Sequence, residues 1–181
     1  MKEKTINREE IYSGKVISVY RDEVQIDEKK RAFREIVEHR GAVCALAVTM
    51  DDKIVLVKQF RKAVEQDLIE IPAGKLEIGE EPVEAIGREL KEETGYEIRS
   101  LKYVTSFYTS PGFSNEQGHL YFAKLGEQGQ PCFDEDEDIE IYHYSLSETM
   151  DMIKNGKIRD AKTILAIALY HQECLGAERE I

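Results

Sequence analysis

The sequence lacks several features that define whole classes of protein. It has only three cysteines, Cys44, Cys132 and Cys174. Because this number is odd and the positions are scattered, we expect neither a disulfide framework nor a zinc site, but free thiols in a reducing cytoplasm. The longest apolar run, residues 42–48, is too short to span a membrane. No apolar stretch follows the charged residues 1–10, so we expect no secretory signal.

Basic residues are scarce relative to acidic ones. Lys and Arg number 25 against 36 Asp and Glu, which gives a formal net charge of −11. Nucleic acids and anionic membranes attract basic surfaces, so we expect neither as a partner. A phosphate-bearing ligand is not excluded, because a few basic residues and metal ions can form a local site. The content of apolar residues, 41%, is typical of one folded domain rather than of a disordered chain.

The pattern of apolar residues predicts a mixed α/β fold with a small N-terminal part. Residues 15–26 and 31–40 are rich in β-forming residues and are separated by a polar segment, so they predict a hairpin. The hairpin belongs to an N-terminal β element, residues 1–40. We expect a main domain over residues 41–181.

Strands and helices are mixed in the main domain without regular alternation. Pro82 suits the first position of a helix and Gly95 suits a left-handed C-cap, so a helix is predicted over residues 82–94. The other predicted elements are strands at 42–50, 53–60, 68–74, 101–109, 118–125 and 139–145, a helix near 147–155 with Ser145 and Glu148 at capping-box spacing, and a last helix capped by Asp160. Together they predict a mixed sheet with helices on its faces.

The helix predicted within residues 81–97 is unusually acidic. Glu89, Glu92 and Glu93 are three and four residues apart, so their carboxylates share one side of the helix. Like charges at this spacing repel each other, and Lys91 cannot neutralise all three. Oxygen ligands in such a cluster suit hard divalent cations. The alternative is a solvated acidic face, and the spacing alone favours metal binding only slightly over it.

The wider pattern decides between these interpretations. Over 23 residues the chain reads Gly, five residues, Glu, seven residues, then Arg-Glu-apolar-any-Glu-Glu-any-Gly-apolar. The positions that carry it are Gly74, Glu80, Arg88, Glu89, Leu90, Glu92, Glu93, Gly95 and Tyr96. The chain therefore resembles a Nudix hydrolase. Tyr96 stands where an aliphatic residue is usual, which should affect packing rather than catalysis.

Segments outside this motif resemble the ADP-ribose pyrophosphatase branch of the family. They are Pro111, which lies 15 residues after Tyr96, and residues 34–43, 57–65, 70–77 and 134–140. The resemblance implies an α/β/α Nudix sandwich that hydrolyses ADP-ribose to AMP and ribose 5-phosphate. It also implies a homodimer in which the N-terminal β element is exchanged between subunits. GDP-mannose or another sugar nucleotide is an alternative substrate; a non-catalytic ADP-ribose-sensing regulator is a further alternative, which the intact motif disfavours.

The resemblance implies a Mg²⁺ site, with Mn²⁺ as a substitute. The expected ligands are the carbonyl of Ala73 and the carboxylates of Glu89, Glu92, Glu93 and Glu137. Glu135 is the expected proton acceptor for the attacking water, so Glu93, Glu135 and Glu137 form the expected catalytic set. Glu135 and Glu137 could exchange roles, because alternate positions of an extended loop do not show which one faces the site. A solvated acidic turn is the alternative for this segment.

The resemblance also assigns residues to substrate binding. Arg61 would bind the diphosphate, because its planar fork can engage two phosphate oxygens. Arg34 and Glu35 would contact the adenosine end from the other subunit. Further ligand-facing positions are the pocket residues Ser110, Pro111 and Gly112, the ribose-hydroxyl acceptor Glu116, and Lys75 and His39. Glu80 and Arg88 are expected to hold the motif together by pairing with each other or with a neighbouring Glu.

Overall fold

The computed structural model describes residues 2–133 and 138–179. The helices and strands within these ranges, in chain order, are β1 (Lys4–Ser13), β2 (Ile17–Gln25), β3 (Arg31–His39), β4 (Ala42–Val48), β5 (Ile54–Arg61), β6 (Gln66–Glu70), β7 (Ala73–Lys75), α1 (Pro82–Thr94), β8 (Tyr96–Tyr108), β9 (Gln117–Gln128), β10 (Glu140–Tyr144), α2 (Leu146–Lys154) and α3 (Ala161–Arg179). None of the helices in these ranges has the length and apolar character needed to cross a membrane.

The first three strands form a small antiparallel sheet of their own. β2 and β3 are the predicted hairpin, paired from Ile17 opposite His39 to Gln25 opposite Arg31. The sequence pattern does not predict β1, because its residues do not alternate between apolar and polar. The structure explains this difference. All ten residues of β1 are exposed, so neither face of the strand requires apolar side chains.

The second sheet is the mixed sheet that the sequence predicts. Its strand order is β10–β5–β4–β9–β8, with β6 beside β5 and β7 beside β4. β4 and β9 run parallel, whereas β4 and β5 are antiparallel. Val43 of β4 lies in one apolar cluster with Ile86 of α1, and Leu46 lies in another with Ile167 of α3. Because side chains alternate along a strand, these clusters fill opposite faces, and the main domain is an α/β/α sandwich.

Helix α1 has the bounds that its capping residues predict. Gly95 ends the helix with φ of 72°, and its N–H donates to the carbonyl of Lys91. A Cβ at Gly95 would lie 2.7 Å from the carbonyl oxygen of Gly129, so both the dihedral angle and the space require glycine. β8 follows directly, so the strand predicted at 101–109 already starts at residue 96.

The beginning of α3 is tied to the sheet by a short chain of hydrogen bonds. Asp160 accepts from the N–H of Thr163 at 3.0 Å and from its Oγ1 at 2.6 Å, which is the predicted cap. The same hydroxyl accepts from the N–H of Ile71 at 2.8 Å. This joint places the first turn of α3 beside the end of β6. The predicted capping box of α2, Ser145 and Glu148, is also confirmed.

Candidate active site

One arginine holds together the acidic residues of α1 and of the loop before it. The Arg88 guanidinium donates through Nε and Nη2 to Glu80, at 3.1 and 3.2 Å. Its Nη1 donates to Glu89 at 2.8 Å and to Glu92 at 3.0 Å. The Glu80 hydrogen bonds raise the pKa of Arg88 and lower that of Glu80. One guanidinium thus pairs with three carboxylates, so these four side chains together carry a net negative charge.

Two carboxylates of α1 press against the backbone of β7. Glu93 is 3% exposed, and its Oε2 accepts a hydrogen bond from the N–H of Ala73 at 3.1 Å. A Cβ added at Gly74 would lie only 1.9 Å from the carboxyl carbon of Glu89. Glycine is therefore required at position 74 so that the Glu89 carboxylate can occupy this space. The contact explains why the motif begins with glycine, 15 residues before the glutamate that it accommodates.

The atoms gathered here are oxygens, which are the ligands that hard divalent cations prefer. The carboxylates of Glu89, Glu92 and Glu93 and the carbonyl of Ala73 could hold such an ion, and the space kept open at Gly74 fits this function. Within residues 2–133 and 138–179, no three His, Cys, Asp or Glu side chains are already arranged as a metal-binding group. The remaining expected ligand, Glu137, and the expected base, Glu135, lie outside the described residues.

A second charged cluster was not predicted from the sequence and lies beside the first. Glu70, at the end of β6, is only 1% exposed. Both its oxygens accept from Arg61, through Nε and Nη2 at 2.8 Å each, and Lys162 of α3 donates to Oε2 as well. Burial alone would raise the pKa of Glu70, but the hydrogen bonds from Arg61 and the charge of Lys162 hold it at about 2. Lys162 also lies 3.1 Å from Asp160.

This cluster links Arg61 to the carboxylates of α1. Hydrogen bonding to Glu70 is the main cause of the raised pKa of Arg61, and the charge of Glu93 contributes to it. Arg61 is therefore within electrostatic reach of the acidic group, as its predicted diphosphate role requires. The sequence did contain a signal for Glu70, which is an isolated charge between Ile69 and Ile71 in an apolar segment. Such a side chain is buried only if cations accompany it.

The segment that contains the expected pocket residues packs against β3. The N–H of Val37 donates to the carbonyl of Phe113 at 2.7 Å, and the N–H of Asn115 returns a bond to Val37 at 3.2 Å. The Asn115 side chain accepts from the N–H of His39 at 2.7 Å, and His39 Nδ1 lies 3.7 Å from Glu116. The structure thereby brings the loop with Ser110, Pro111, Gly112 and Glu116 next to His39. Asn115 was not among the predicted site residues.

Of the other expected substrate residues, Arg34 and Glu35 lie on β3 of the small sheet, and Lys75 follows Gly74 at the end of β7. Arg34 donates to Glu3 through Nε at 3.0 Å and to the carbonyl of Phe33 at 2.9 Å, so its contacts stay within the N-terminal part. Glu35 is exposed, and as the next residue along β3 it points to the opposite face of the small sheet. Lys75 is exposed at the end of β7. Their assigned roles stay predictions.

The last residue of the motif connects α1 to the strand that follows residues 134–137. Tyr96 is 9% exposed within the apolar cluster of α1, and its hydroxyl lies 2.8 Å from Nε2 of His143 in β10. Tyr96 therefore replaces the usual aliphatic side chain with a ring that packs in the core and a hydroxyl that bonds to β10. This placement gives Tyr96 a structural function.

Two surface cavities of the described chain lie elsewhere. One of about 200 Å³ is lined by Lys15, His39 and Asn115 among others, and one of about 530 Å³ by Lys102, Phe122 and other residues. Neither is lined by the α1 carboxylates. Hydrolysis of a diphosphate requires clustered charges more than an enclosed apolar volume. We therefore place the candidate active site at the carboxylates.

The α/β/α sandwich and the acidic α1 motif define a Nudix domain. A family model of the NUDIX domain matches residues 38–166, and the chain therefore belongs to the Nudix family. Members of this family are hydrolases that generally use divalent metal ions, and this chain is a Nudix hydrolase.

Two relatives match almost the whole length of the chain. It is 46% identical to an ADP-ribose pyrophosphatase of Bacillus subtilis (strain 168), over 99% of this chain and 98% of that protein. It is 45% identical to a methanol dehydrogenase activator of Bacillus methanolicus, over 96% and 95% of the two chains. A crystal structure of an ADP compounds hydrolase has the same fold, with a TM-score of 0.86 over 99% of this chain and 97% of that chain, at 22% identity.

Proposed function

We propose that this hydrolase cleaves the diphosphate bond of ADP-ribose with water and releases AMP and ribose 5-phosphate. The observation that carries the proposal is the position of Arg61, a cation suited to phosphate, within electrostatic reach of the buried Glu93. Arg61, which would bind the diphosphate, thus lies near carboxylate oxygens that suit a divalent cation. The similarity to an ADP-ribose pyrophosphatase supports the choice of substrate among nucleoside diphosphate sugars.

The reaction assigns each group of residues a separate task. The carbonyl of Ala73 and the carboxylates of Glu89, Glu92, Glu93 and Glu137 would hold Mg²⁺, with Mn²⁺ as a substitute. The bound ion would supply charge neutralisation at the diphosphate and lower the pKa of a bound water. Arg61 binds the diphosphate oxygens. Glu135, with Glu137 as the alternative, takes the proton of the attacking water. A new bond forms between one phosphorus and the water oxygen, while the bridging P–O bond breaks and the other phosphate leaves with its ribose.

The adenosine end of the pocket is proposed to form between two subunits. In this arrangement residues 1–40 are exchanged between the hydrolase domains, residues 41–181, and Arg34 and Glu35 reach the partner's substrate. Ser110, Pro111, Gly112, Glu116 and Lys75 complete the pocket from the hydrolase domain. The exposure of Tyr12 and Phe33 in the small sheet, 56% and 61%, supports a homodimer, because large apolar side chains gain most from being covered.

The exchanged arrangement has a direct test by mixing two variants, Arg34→Ala and Glu93→Gln. If Arg34 serves the partner's site, half of all dimers in an equal mixture contain one subunit of each variant, and each of these holds both changes in one site and none in the other. Refolding an equal mixture should then restore about a quarter of the wild-type activity, although each variant alone is impaired. Activity no higher than the mean of the two variants would contradict the exchange. Light scattering measures the mass of the assembly directly.

The substrate proposal is tested by hydrolysis of ADP-ribose, GDP-mannose, ADP-glucose and diadenosine polyphosphates, with Mg²⁺ or EDTA, and chromatography of the products. We expect metal-dependent release of AMP and the highest kcat/KM for ADP-ribose. Glu93→Gln should lower kcat/KM by roughly 10²-fold or more, whereas Glu84→Gln, an exposed residue of the same helix, should not. A higher kcat/KM for another substrate would contradict the proposal.

We further infer that the protein acts in the cytoplasm on a small molecule, without a nucleic acid or membrane partner. The net charge of −11 supports this, because it opposes binding to polyanions. The three free cysteines are consistent with a reducing compartment. Sequence-specific DNA binding in a gel-shift assay would instead support the regulator alternative.

A further inference from the structure

The carboxylate of Glu70 is almost completely buried. It ends a short strand, is 1% exposed, and lies between two apolar residues, Ile69 and Ile71. A hydrophobic residue of the same size would avoid the cost of removing a charge from water. A buried charge that is retained together with matched cations therefore calls for a functional explanation, and the cations around Glu70 provide one.

The hydrogen bonds between Arg61 and Glu70 fix the direction in which the Arg61 side chain extends. Arg61 lies opposite Gln66 in the β5–β6 hairpin, so Glu70 is four residues further along β6. At the rise of a β-strand this corresponds to roughly 13 Å, which the two side chains can bridge only when Arg61 is extended along the hairpin. The two hydrogen bonds of 2.8 Å then fix the plane of the guanidinium as well as its position.

This geometry leaves one edge of the guanidinium for a ligand. Nε and Nη2 of Arg61 donate to Glu70, and within residues 2–133 and 138–179 the structure shows no hydrogen bond donated by Nη1. The charge of Glu93 acts on the same guanidinium, so the group lies near the metal-binding side of the site. An arginine whose Nε side is held by a carboxylate can still donate from its outer nitrogen to a phosphate oxygen.

Lys162 is a second cation beside Glu70, so the negative charge of Glu70 is not used by Arg61 alone. Glu70 shares its charge between Arg61 and Lys162, and Lys162 in turn pairs with Asp160. The charges alternate in the order Arg61, Glu70, Lys162 and Asp160, so Glu70 is a counter-ion to both Arg61 and Lys162. Thr163, hydrogen-bonded to both Asp160 and Ile71, locks the helix that carries Lys162 to the strand that carries Glu70.

We propose that Glu70, supported by Lys162, is a positioning residue that orients Arg61 toward the diphosphate of the substrate. The inference rests on the proposed function, since Arg61 binds the diphosphate there. Glu70 acts only through Arg61 and does not touch the substrate. A lysine at position 61 could supply the charge but not the two-bond contact, because its ammonium has no planar fork.

The test is a double-mutant cycle of Arg61→Ala and Glu70→Gln, measured as kcat and KM with Mg²⁺ for each diphosphate sugar that the wild type hydrolyses. We expect Glu70→Gln to raise KM about tenfold with a smaller change in kcat, and Arg61→Lys to resemble it. In the Arg61→Ala background, Glu70→Gln should change kcat/KM by less than about twofold. Equal losses in both backgrounds would overturn the proposal, because they would show a general structural role.

A control variant, a second variant at Lys162 and the activity of the wild type complete the test. Glu65→Gln makes the same chemical change at an exposed carboxylate of the same hairpin and should leave KM unchanged. Lys162→Gln should raise KM in the same direction as Glu70→Gln, and it serves if Glu70→Gln does not fold, with circular dichroism reporting the fold. A wild type that hydrolyses no diphosphate sugar contradicts the proposed function, whereas an active wild type with an unchanged KM in Glu70→Gln contradicts the positioning role.

Discussion

Two neighbouring groups of acidic residues in this protein differ in how many cations are paired with their carboxylates. On α1 and the loop before it, Glu80, Glu89 and Glu92 all pair with Arg88. At the end of β6, Glu70 pairs with two cations, Arg61 and Lys162, and Lys162 also pairs with Asp160. The first group retains negative charge and is suited to attract metal ions from solution. The second group is internally neutral, so its charges are used to hold each other in place.

The excess negative charge on α1 has a function only if the carboxylates can keep their positions against β7. The largest effect is therefore expected for Gly74→Ala, whose Cβ would overlap the Glu89 carboxylate. Displacing this group should lower kcat/KM by about 10²-fold and raise the Mg²⁺ concentration needed for half-maximal activity. Gly87→Ala is the control, because a Cβ there would meet no other part of the described structure within 4 Å outside the neighbouring backbone of its own helix. Equal kcat/KM in the two variants would contradict this account of the motif.

The ion pairs of Glu70 should make the free energy of unfolding depend on pH. The pKa of Glu70 is about 2 in the folded protein, below its ordinary value of 4.5. A lowered pKa adds stability that is complete above pH 4.5 and is lost as the pH falls toward 2. From pH 4.5 to pH 3 the wild type should lose about 2 kcal/mol through this group, which Glu70→Gln should not lose.

Urea unfolding at several pH values measures this difference. The free energy of unfolding of Glu70→Gln should approach that of the wild type as the pH falls. Glu65→Gln, which alters an exposed carboxylate, should instead follow the wild type throughout. Parallel curves for the wild type and Glu70→Gln would show that the folded protein does not stabilise the charged form of Glu70.

The smallest effect is expected for Arg88→Met, which removes the cation that pairs with Glu80, Glu89 and Glu92. Mutual repulsion of the carboxylates should lower stability by about 1 kcal/mol in low salt. Mg²⁺ should raise the melting temperature of this variant more than that of the wild type, because the ion replaces the lost charge. Lys91→Met, an exposed cation on the same helix, is the control. An equal response to Mg²⁺ in both variants would contradict the assigned excess of charge.

The parts of this protein that were predictable from the sequence are those governed by neighbours along the chain. Pro82 and Gly95 marked both ends of α1, since helix capping depends on residues within one turn. The three- and four-residue spacing of Glu89, Glu92 and Glu93 placed them on one helix side for the same reason. The 23-residue motif around them was sufficient to indicate the family, and α1 and β7 do bring its first glycine to Glu89.

The sequence by itself thus determined the helix, its acidic side and the family, because each depends on short, regular spacing. Only the tertiary structure decided that Glu70 pairs with Lys162, which is 92 residues away. It also decided that Arg61 pairs with Glu70 and lies within electrostatic reach of Glu93. Likewise, β1 has no periodic pattern because it buries neither face, and only its pairing with β2 makes it a strand. Contacts between distant residues depend on how the strands and helices pack, and no local period in the sequence records that packing.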